Sequence, residues 1–213
     1  RFNMIRLSSM AVLVIIDVQV DFCPGGKLAV ARGDSIIPVI NSISGKFPCV
    51  VATQDWHPVG HVSFASSHGG KKPFDRVMMD GIEQVLWPEH CVQGTVEADF
   101  HPALDTRSVR LILRKGTNPA LDSYSAFFEN DRKTSTGLQH YLQGLGYSDV
   151  FLCGLATDVC VFYTALDSLK IGFRTFLIED ASMGVDVPPG SVEKTKKEMV
   201  ERGVVIVSSS ELR

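Results

Sequence analysis

The 213-residue sequence contains no CxxC pair, no GxGxxG turn, no basic stripe and no apolar run of membrane-spanning length. Without CxxC, a thioredoxin-type redox site and a zinc ribbon are excluded. Where a dinucleotide-binding oxidoreductase would carry its glycine-rich turn, after the first apolar run, the chain reads DVQVDFCPGG, so that class is disfavoured as well. A cysteine phosphatase needs an arginine six residues beyond its nucleophile, and Leu166 occupies that place after Cys160. With a net charge of −3, neither nucleic acid nor an anionic membrane is expected as a partner. The lysines at 194, 196 and 197 read as the solvated face of a helix. Five cysteines, an odd number at irregular spacing, do not form a disulfide framework. A reducing compartment and a cytoplasmic location are therefore expected.

What the chain does have is short apolar runs alternating with helix-like segments. The runs are Val12–Ile16, Cys49–Thr53, Arg110–Leu113, Val150–Leu155, Arg174–Ile178 and Val204–Val207. Between them, helical spacing predicts helices over Ser35–Lys46, Thr134–Leu145, Asp158–Leu169 and Ser191–Arg202, with Asp34 and Thr157 as caps and glycines beyond three of the ends. Strands apolar on both faces belong inside a parallel sheet. The alternation predicts an α/β fold: a doubly wound, mostly parallel six-stranded sheet with helices on both faces. One domain is expected to take up residues 1–213, with the first ten, which open on Arg1, foreign to it in part or poorly ordered. The opening run resembles a signal peptide until Asp17 interrupts it, and it reads as the first buried strand. The stretch from Trp56 to Ser108 is too long for a simple connection and too aromatic for disorder, which marks it as functional.

In open parallel sheets ligands bind beyond the carboxyl ends of the strands. The runs end there in Asp17 and Gln19, in Asp55 and His57, in Lys115, in Thr157, Asp158 and Cys160, and in Glu179 and Asp180. Cys160 falls at a helix start, where unpaired N–H groups are expected to lower a thiol pKa. Its alternative is plain packing, the role assigned to Cys153. Asp17 can accept the thiol proton. Lys115, costly at a buried strand end unless paired, has Asp17 as its anion if the first and third strands lie close. Asp55 and His57, two apart in an extended segment, point to one side and form half of a metal site of mixed carboxylate and imidazole ligands. Spacing leaves the next ligand open among His61, His68, His90 and His101, while His140 reads as a surface residue. Phe22, Trp56, Trp87 and Tyr124 can wall a slot for a flat ring.

Five ordered motifs, IIDVQVDFCPGGKLAV at 15–30, ATQDWHPVGHVSFASSH at 52–68, LWPEHCVQGT at 86–95, RKGTNPALDSYSAF at 114–127 and CGLATDVCV at 153–161, resemble the nicotinamidases of the isochorismatase-like cysteine hydrolases. The resemblance implies a metal-dependent amidohydrolase that converts nicotinamide to nicotinate and ammonia in NAD salvage and also cleaves pyrazinamide. The alternative is a related hydrolase of another small heteroaromatic amide. It implies a catalytic triad of Asp17, Lys115 and Cys160, and an oxyanion hole from the N–H groups of Ala156 and Cys160 beside a Leu155–Ala156 peptide that is often cis. It further implies one divalent ion on Asp55, His57 and His90, zinc first with iron or manganese as alternatives. His61 would either ligate or only line the site. Phe22, Trp87, Gln19 and Tyr124 would receive the ring, and the family leaves room for a homo-oligomer. A non-catalytic metal-binding module would not need the three triad residues together.

Overall fold

The first strand, β1 (Ala11–Ile16), is buried at every position, because it has a neighbour on each edge and a packed layer on each face. It lies between β2 (Cys49–Asp55) and β6 (Asp149–Leu155), parallel to both. Beyond β2 runs β5 (Val109–Lys115), and beyond β6 run β7 (Arg174–Met183) and β8 (Val205–Val207). The six-stranded order is β5-β2-β1-β6-β7-β8, parallel in every pair. The computed structural model describes residues 4–213.

The period-two alternation of β1 sorts its side chains between two cores. Ala11, Leu13 and Ile15 pack with Ile37, Ile40 and Ile43 of α1 (Ile37–Ser44). Val12, Val14 and Ile16 face the other layer, built from α2 (Leu138–Gly144), α3 (Cys160–Ile171) and α4 (Ser191–Arg202) through Leu138, Leu142, Val161, Ala165 and Met199. Helices thus cover both faces. The chain leaves β1 toward β2 and β5, then returns to the other side of β1 as β6. The switch point therefore falls between β1 and β6, where a crevice opens at the carboxyl ends.

Several boundaries differ from the sequence expectation. The first helix begins with a 3-10 turn over Gly33–Ile36 that contains Asp34, which caps nothing. Pro38 then sits in the first turn of α1, where its missing N–H costs no hydrogen bond. The helix expected from Thr134 starts only at Leu138, because Thr134 to Thr136 pair with Phe127 to Glu129; the Thr136 N–H donates to Phe127 O at 3.0 Å. The α3 helix starts at Cys160 with Val159 as its cap and no capping side chain, so Thr157 does not cap it. The strand expected over Arg174–Ile178, β7, continues to Met183 through a register shift against β6. The long stretch contains an unexpected antiparallel hairpin, β3 (Arg76–Met79) and β4 (Ile82–Val85). Its Asp80-Gly81 turn has φ values of 48° and 79°, the left-handed pair that two-residue hairpins favour. At the start of the described part, the Ile5 N–H donates to Glu211 O at 2.7 Å and the Arg213 N–H to Ile5 O at 2.9 Å. Residues 1–3 lie outside the described residues.

Candidate active site

Four strand ends meet at the crevice. Asp17 follows β1, Asp55 ends β2, Lys115 ends β5, and Cys160 follows β6. Strands β1 and β5 are not neighbours, so Asp17 and Lys115 reach each other across the end of β2. There the Thr53 hydroxyl donates to Asp17 Oδ1 at 2.7 Å and accepts from the Asp17 N–H at 3.2 Å. This double contact holds Asp17 in a left-handed conformation, φ 50°. Lys115, 2% exposed, places Nζ 2.8 Å from Asp17 Oδ2, and donates to Asp55 Oδ1 and to Ser123 O at 3.1 Å. The Cys160 sulfur lies 3.6 Å from the same ammonium. Sulfur and the carboxylates of Asp17 and Asp55 fall within 4.8 Å of one another. Asp17 Oδ2, though close to the ammonium, has no well-directed hydrogen bond, and so retains an acceptor lone pair.

Burial sets the protonation states. It lifts the Asp17 carboxyl to about 6, against the pull of Lys115 and with a push from Asp55. Burial would also raise Asp55, but Lys115 and the two imidazoles hold it well below the usual carboxylate range. Burial opposes the charge on Lys115, yet Asp17 and Asp55 keep it firmly protonated. The Cys160 thiol is pushed well up by burial, with Lys115 pulling the other way and Asp17 and Asp55 adding to the rise. The expected thiolate at a helix start is therefore corrected: in this desolvated site the resting sulfur keeps its proton.

Beside this group, Asp55, His57 and His90 offer ligand atoms within 4.8 Å of one another. Asp55 Oδ2 is 3.8 Å from His57 Nε2 and 3.7 Å from His90 Nε2. The Nδ1 atoms are turned outward, at 2.9 Å from Gly116 O and 2.7 Å from Pro88 O. A carbonyl can only accept, so each Nδ1 carries the hydrogen and each Nε2 turns a bare lone pair inward. Burial lowers the His57 pKa against the pull of Asp122 and Asp55. Burial would lower His90 too, but the neighbouring Asp55 carboxylate raises it. His57 Nε2 is buried with no hydrogen-bond partner, a costly state unless a metal ion accepts its lone pair. The three residues thus fit a divalent cation.

The remaining predicted residues separate into three groups. Phe22, Trp87, Tyr124, Ala156 and Cys160 line one cavity of about 330 Å³ together with Asp55 and His90. Its walls are mostly apolar, and the Trp87 indole N–H donates to the Tyr124 hydroxyl at 3.2 Å. The Leu155–Ala156 peptide is cis. The Ala156 carbonyl accepts from Val159 and Val161 at 3.0 and 3.1 Å and passes over Cys160, whose N–H, first in α3, remains available to a ligand. Gln19 is a correction. Its amide donates to Asp55 O and Ala98 O, both at 2.8 Å, and accepts from the Asp55 N–H at 2.8 Å. It positions Asp55 and does not line the cavity. Trp56, Glu179 and Asp180 do not join the rim: the Arg114 guanidinium lies over the Trp56 ring at 3.8 Å from its centroid, Glu179 pairs with Lys196 at 3.1 Å, and Asp180 accepts from the Ser209 N–H at 2.7 Å.

His61 lies against His57 with ring centroids 4.3 Å apart. Its Nδ1 accepts from the Ser63 N–H at 3.1 Å and its Nε2 faces Leu121 O at 3.3 Å, so both nitrogens have protein partners. His68 bonds Val62 O at 2.7 Å, and His101 accepts from the Ala103 N–H at 3.2 Å. Three residues escaped the sequence reading. Asp122, buried in the cavity wall, brings Oδ1 to 3.7 Å from His57 Nε2. Asp21, fully buried, accepts from the N–H groups of Lys27 and Cys91 at 2.9 and 2.8 Å and so fixes the chain next to His90. Gly116 adopts φ 68° beneath the His57 ring, where a Cβ would stand 2.7 Å from Nδ1. The glycine one residue after Lys115 was the only local signal for it.

An isochorismatase domain model matches residues 11–211. The chain belongs to that family. A curated relative, the nicotinamidase of Acinetobacter baylyi, is 51% identical over 197 residues, covering 92% of each chain. The solved nicotinamidase/pyrazinamidase of Acinetobacter baumanii superposes with a TM-score of 0.93 at 50% identity, covering 96% of this chain and 98% of its own. The pyrazinamidase of Pyrococcus horikoshii, solved in complex with zinc, has a TM-score of 0.76 at 38% identity and covers 93% and 99% of the two chains. The isochorismatase-family fold expected from the sequence is thereby established. Among the described residues no helix is long and apolar enough to cross a membrane.

Proposed function

We infer that this isochorismatase-family protein is a metal-dependent nicotinamidase, an amidohydrolase that converts nicotinamide to nicotinate and ammonia through a thioester on Cys160. The observation that carries the reading is the meeting of Cys160, Asp17 and Lys115 on the cavity that also holds the Asp55–His57–His90 group, in a chain half identical to a nicotinamidase. The aromatic walls, Phe22, Trp87 and Tyr124, sandwich the pyridine ring. Asp55, His57 and His90 would hold one divalent ion, zinc by analogy with the Pyrococcus horikoshii relative; when bound it supplies a Lewis-acid contact that orients the substrate.

The protein's own groups then carry the proton and the electrons. Asp17 accepts the thiol proton, a transfer between two groups that burial has raised together. The transfer conserves charge and leaves Lys115 facing the new thiolate. Sulfur attacks the amide carbon, and the C–S bond forms as the carbonyl pair moves onto oxygen. The N–H groups of Ala156 and Cys160 receive that oxyanion; one such donor is worth roughly 100- to 1000-fold in rate. Asp17 returns its proton to the nitrogen as the C–N bond breaks and ammonia leaves. In the second half Asp17 takes a proton from water, whose oxygen attacks the thioester. The acid departs and sulfur recovers its proton. All five cysteines are free and buried, which supports a cytoplasmic setting. Nicotinamide is the small-molecule partner, and NAD salvage is the process it serves.

Ammonia release from nicotinamide, pyrazinamide and aliphatic amides tests the assignment. The wild type is expected to hydrolyse the two heteroaromatic amides and spare the aliphatic ones, and Cys160→Ala to release no ammonia. Turnover by Cys160→Ala would remove the nucleophile, and a preference for aliphatic amides would remove the substrate class.

A further inference from the structure

Asp158 is two residues from the nucleophile, yet it does not face the cavity. Its carboxylate reaches across to the segment after β7. Oδ1 accepts from the Val185 N–H and Oδ2 from the Asp186 N–H, each at 2.8 Å. Among the described residues no cation lies within 4.0 Å of it in an ion pair, so these two amides answer its charge. The side chain is 9% exposed. The chain comes this near only because residue 184 is glycine: a Cβ there would stand 3.1 Å from Asp158 Oδ1 and collide with Val192. Two further contacts hold the same segment. The Thr157 N–H donates to Met183 O at 3.0 Å, and Asp186 accepts from the N–H groups of Gly190 and Val192 at 3.1 and 3.0 Å, at the start of α4.

The pinned segment is part of the substrate cavity. Val185 and Val187 line it together with Trp87 and Phe74, and they are 42% and 74% exposed. An exposed apolar wall has little of its own packing to hold it, so its position depends on its backbone anchors. Asp158 is the anchor that joins it to the turn bearing Cys160. We propose that Asp158 is a positioning residue for substrate binding, holding the Val185–Val187 wall at a fixed distance from the sulfur. This rests on the nicotinamidase reading given above. The wall acts on the bound ring and not on the proton transfers, so its release raises KM and leaves kcat largely in place.

The test is steady-state hydrolysis of nicotinamide by metal-loaded wild type, Asp158→Asn, Val187→Ala and the double variant, with hydrogen exchange of the Val185 and Asp186 amides. Asparagine keeps one acceptor and presents an NH₂ group to the other amide. Asp158→Asn is expected to raise KM about tenfold, the equivalent of one charge-assisted hydrogen bond, with kcat within about threefold, and to speed exchange at 185 and 186. Val187→Ala is expected to raise KM in the same direction, and the double variant to fall short of the summed effects, because both act on one wall. A fall in kcat at unchanged KM would place Asp158 in service of the nucleophile turn and overturn the proposal, as would strict additivity. If Asp158→Asn does not fold, an unchanged KM in Val187→Ala overturns it on its own. Absence of nicotinamide turnover in the wild type would instead sink the functional reading.

Discussion

Replacing Asp17 with asparagine sets two large opposing effects against each other. The carboxylate is fully buried, and burial raises its pKa from 3.8 to about 6 in spite of Lys115 at 2.8 Å. Desolvation therefore outweighs the ion pair. The shift is about 2 units, and at 1.36 kcal/mol per unit the ionised group costs the native state about 3 kcal/mol near neutral pH. Asparagine keeps the shape and the Thr53 bond, and Lys115 retains Asp55 as its anion. Asp17→Asn is thus expected to stabilise the metal-free, chelator-treated protein by up to about 3 kcal/mol, or roughly 6–12 °C in Tm for a chain of this size, while abolishing turnover. The sign with pH follows from the raised value. Between about 4 and 6 the native state binds the proton more tightly than the unfolded chain. Wild-type stability accordingly contains a component that falls as pH rises through that window, and the variant lacks it. Urea denaturation at pH 4.5, 5.5 and 7 reads both quantities. A variant less stable than wild type at pH 7 would refute the reasoning, by showing that the Lys115 pair contributes more than burial costs.

The same group fixes the acid limb of activity: kcat/KM is expected to fall tenfold per pH unit as pH drops below about 6, where Asp17 loses its ability to accept the thiol proton. A profile flat from pH 7 to 4 would remove Asp17 as the base. Gly116→Ala is expected to displace the His57 ring and to lower zinc affinity about 10- to 100-fold, as disruption of a ligand's orienting partners does; unchanged affinity by competition with a chromophoric chelator would contradict that. His57→Ala is expected to lose bound metal altogether, measured by elemental analysis, and retained stoichiometric metal would take His57 out of the ligand set.

Much of the site could be read along the chain because each catalytic group ends an apolar strand, and parallel topology collects strand ends on one rim. Asp17, Asp55, Lys115 and Cys160 were found in that way. Residues that act through backbone contacts were not. Gln19 and Asp158 have the composition of site residues, yet their side chains are used up on amides of other segments, and nothing local distinguishes a side chain that faces a cavity from one that bonds the loop behind it. Asp21 was missed for the same reason, whereas Asp122, in the loop after β5, ends no strand and so carried no such signal. Asp80-Gly81 did carry a hairpin signal, obscured by the short, half-exposed strands on either side. The protonation state of Cys160 illustrates a further limit: its helix start favours the thiolate, but burial outweighs it, and burial is a property of the assembled fold.

The most direct measurement is rapid acid quenching of the enzyme during nicotinamide turnover, followed by peptide mass spectrometry. A nicotinoyl group is expected on the peptide carrying Cys160 and on no other. An unmodified Cys160 under conditions where product accumulates in a burst, or acylation of Cys23, Cys49, Cys91 or Cys153, would contradict the account.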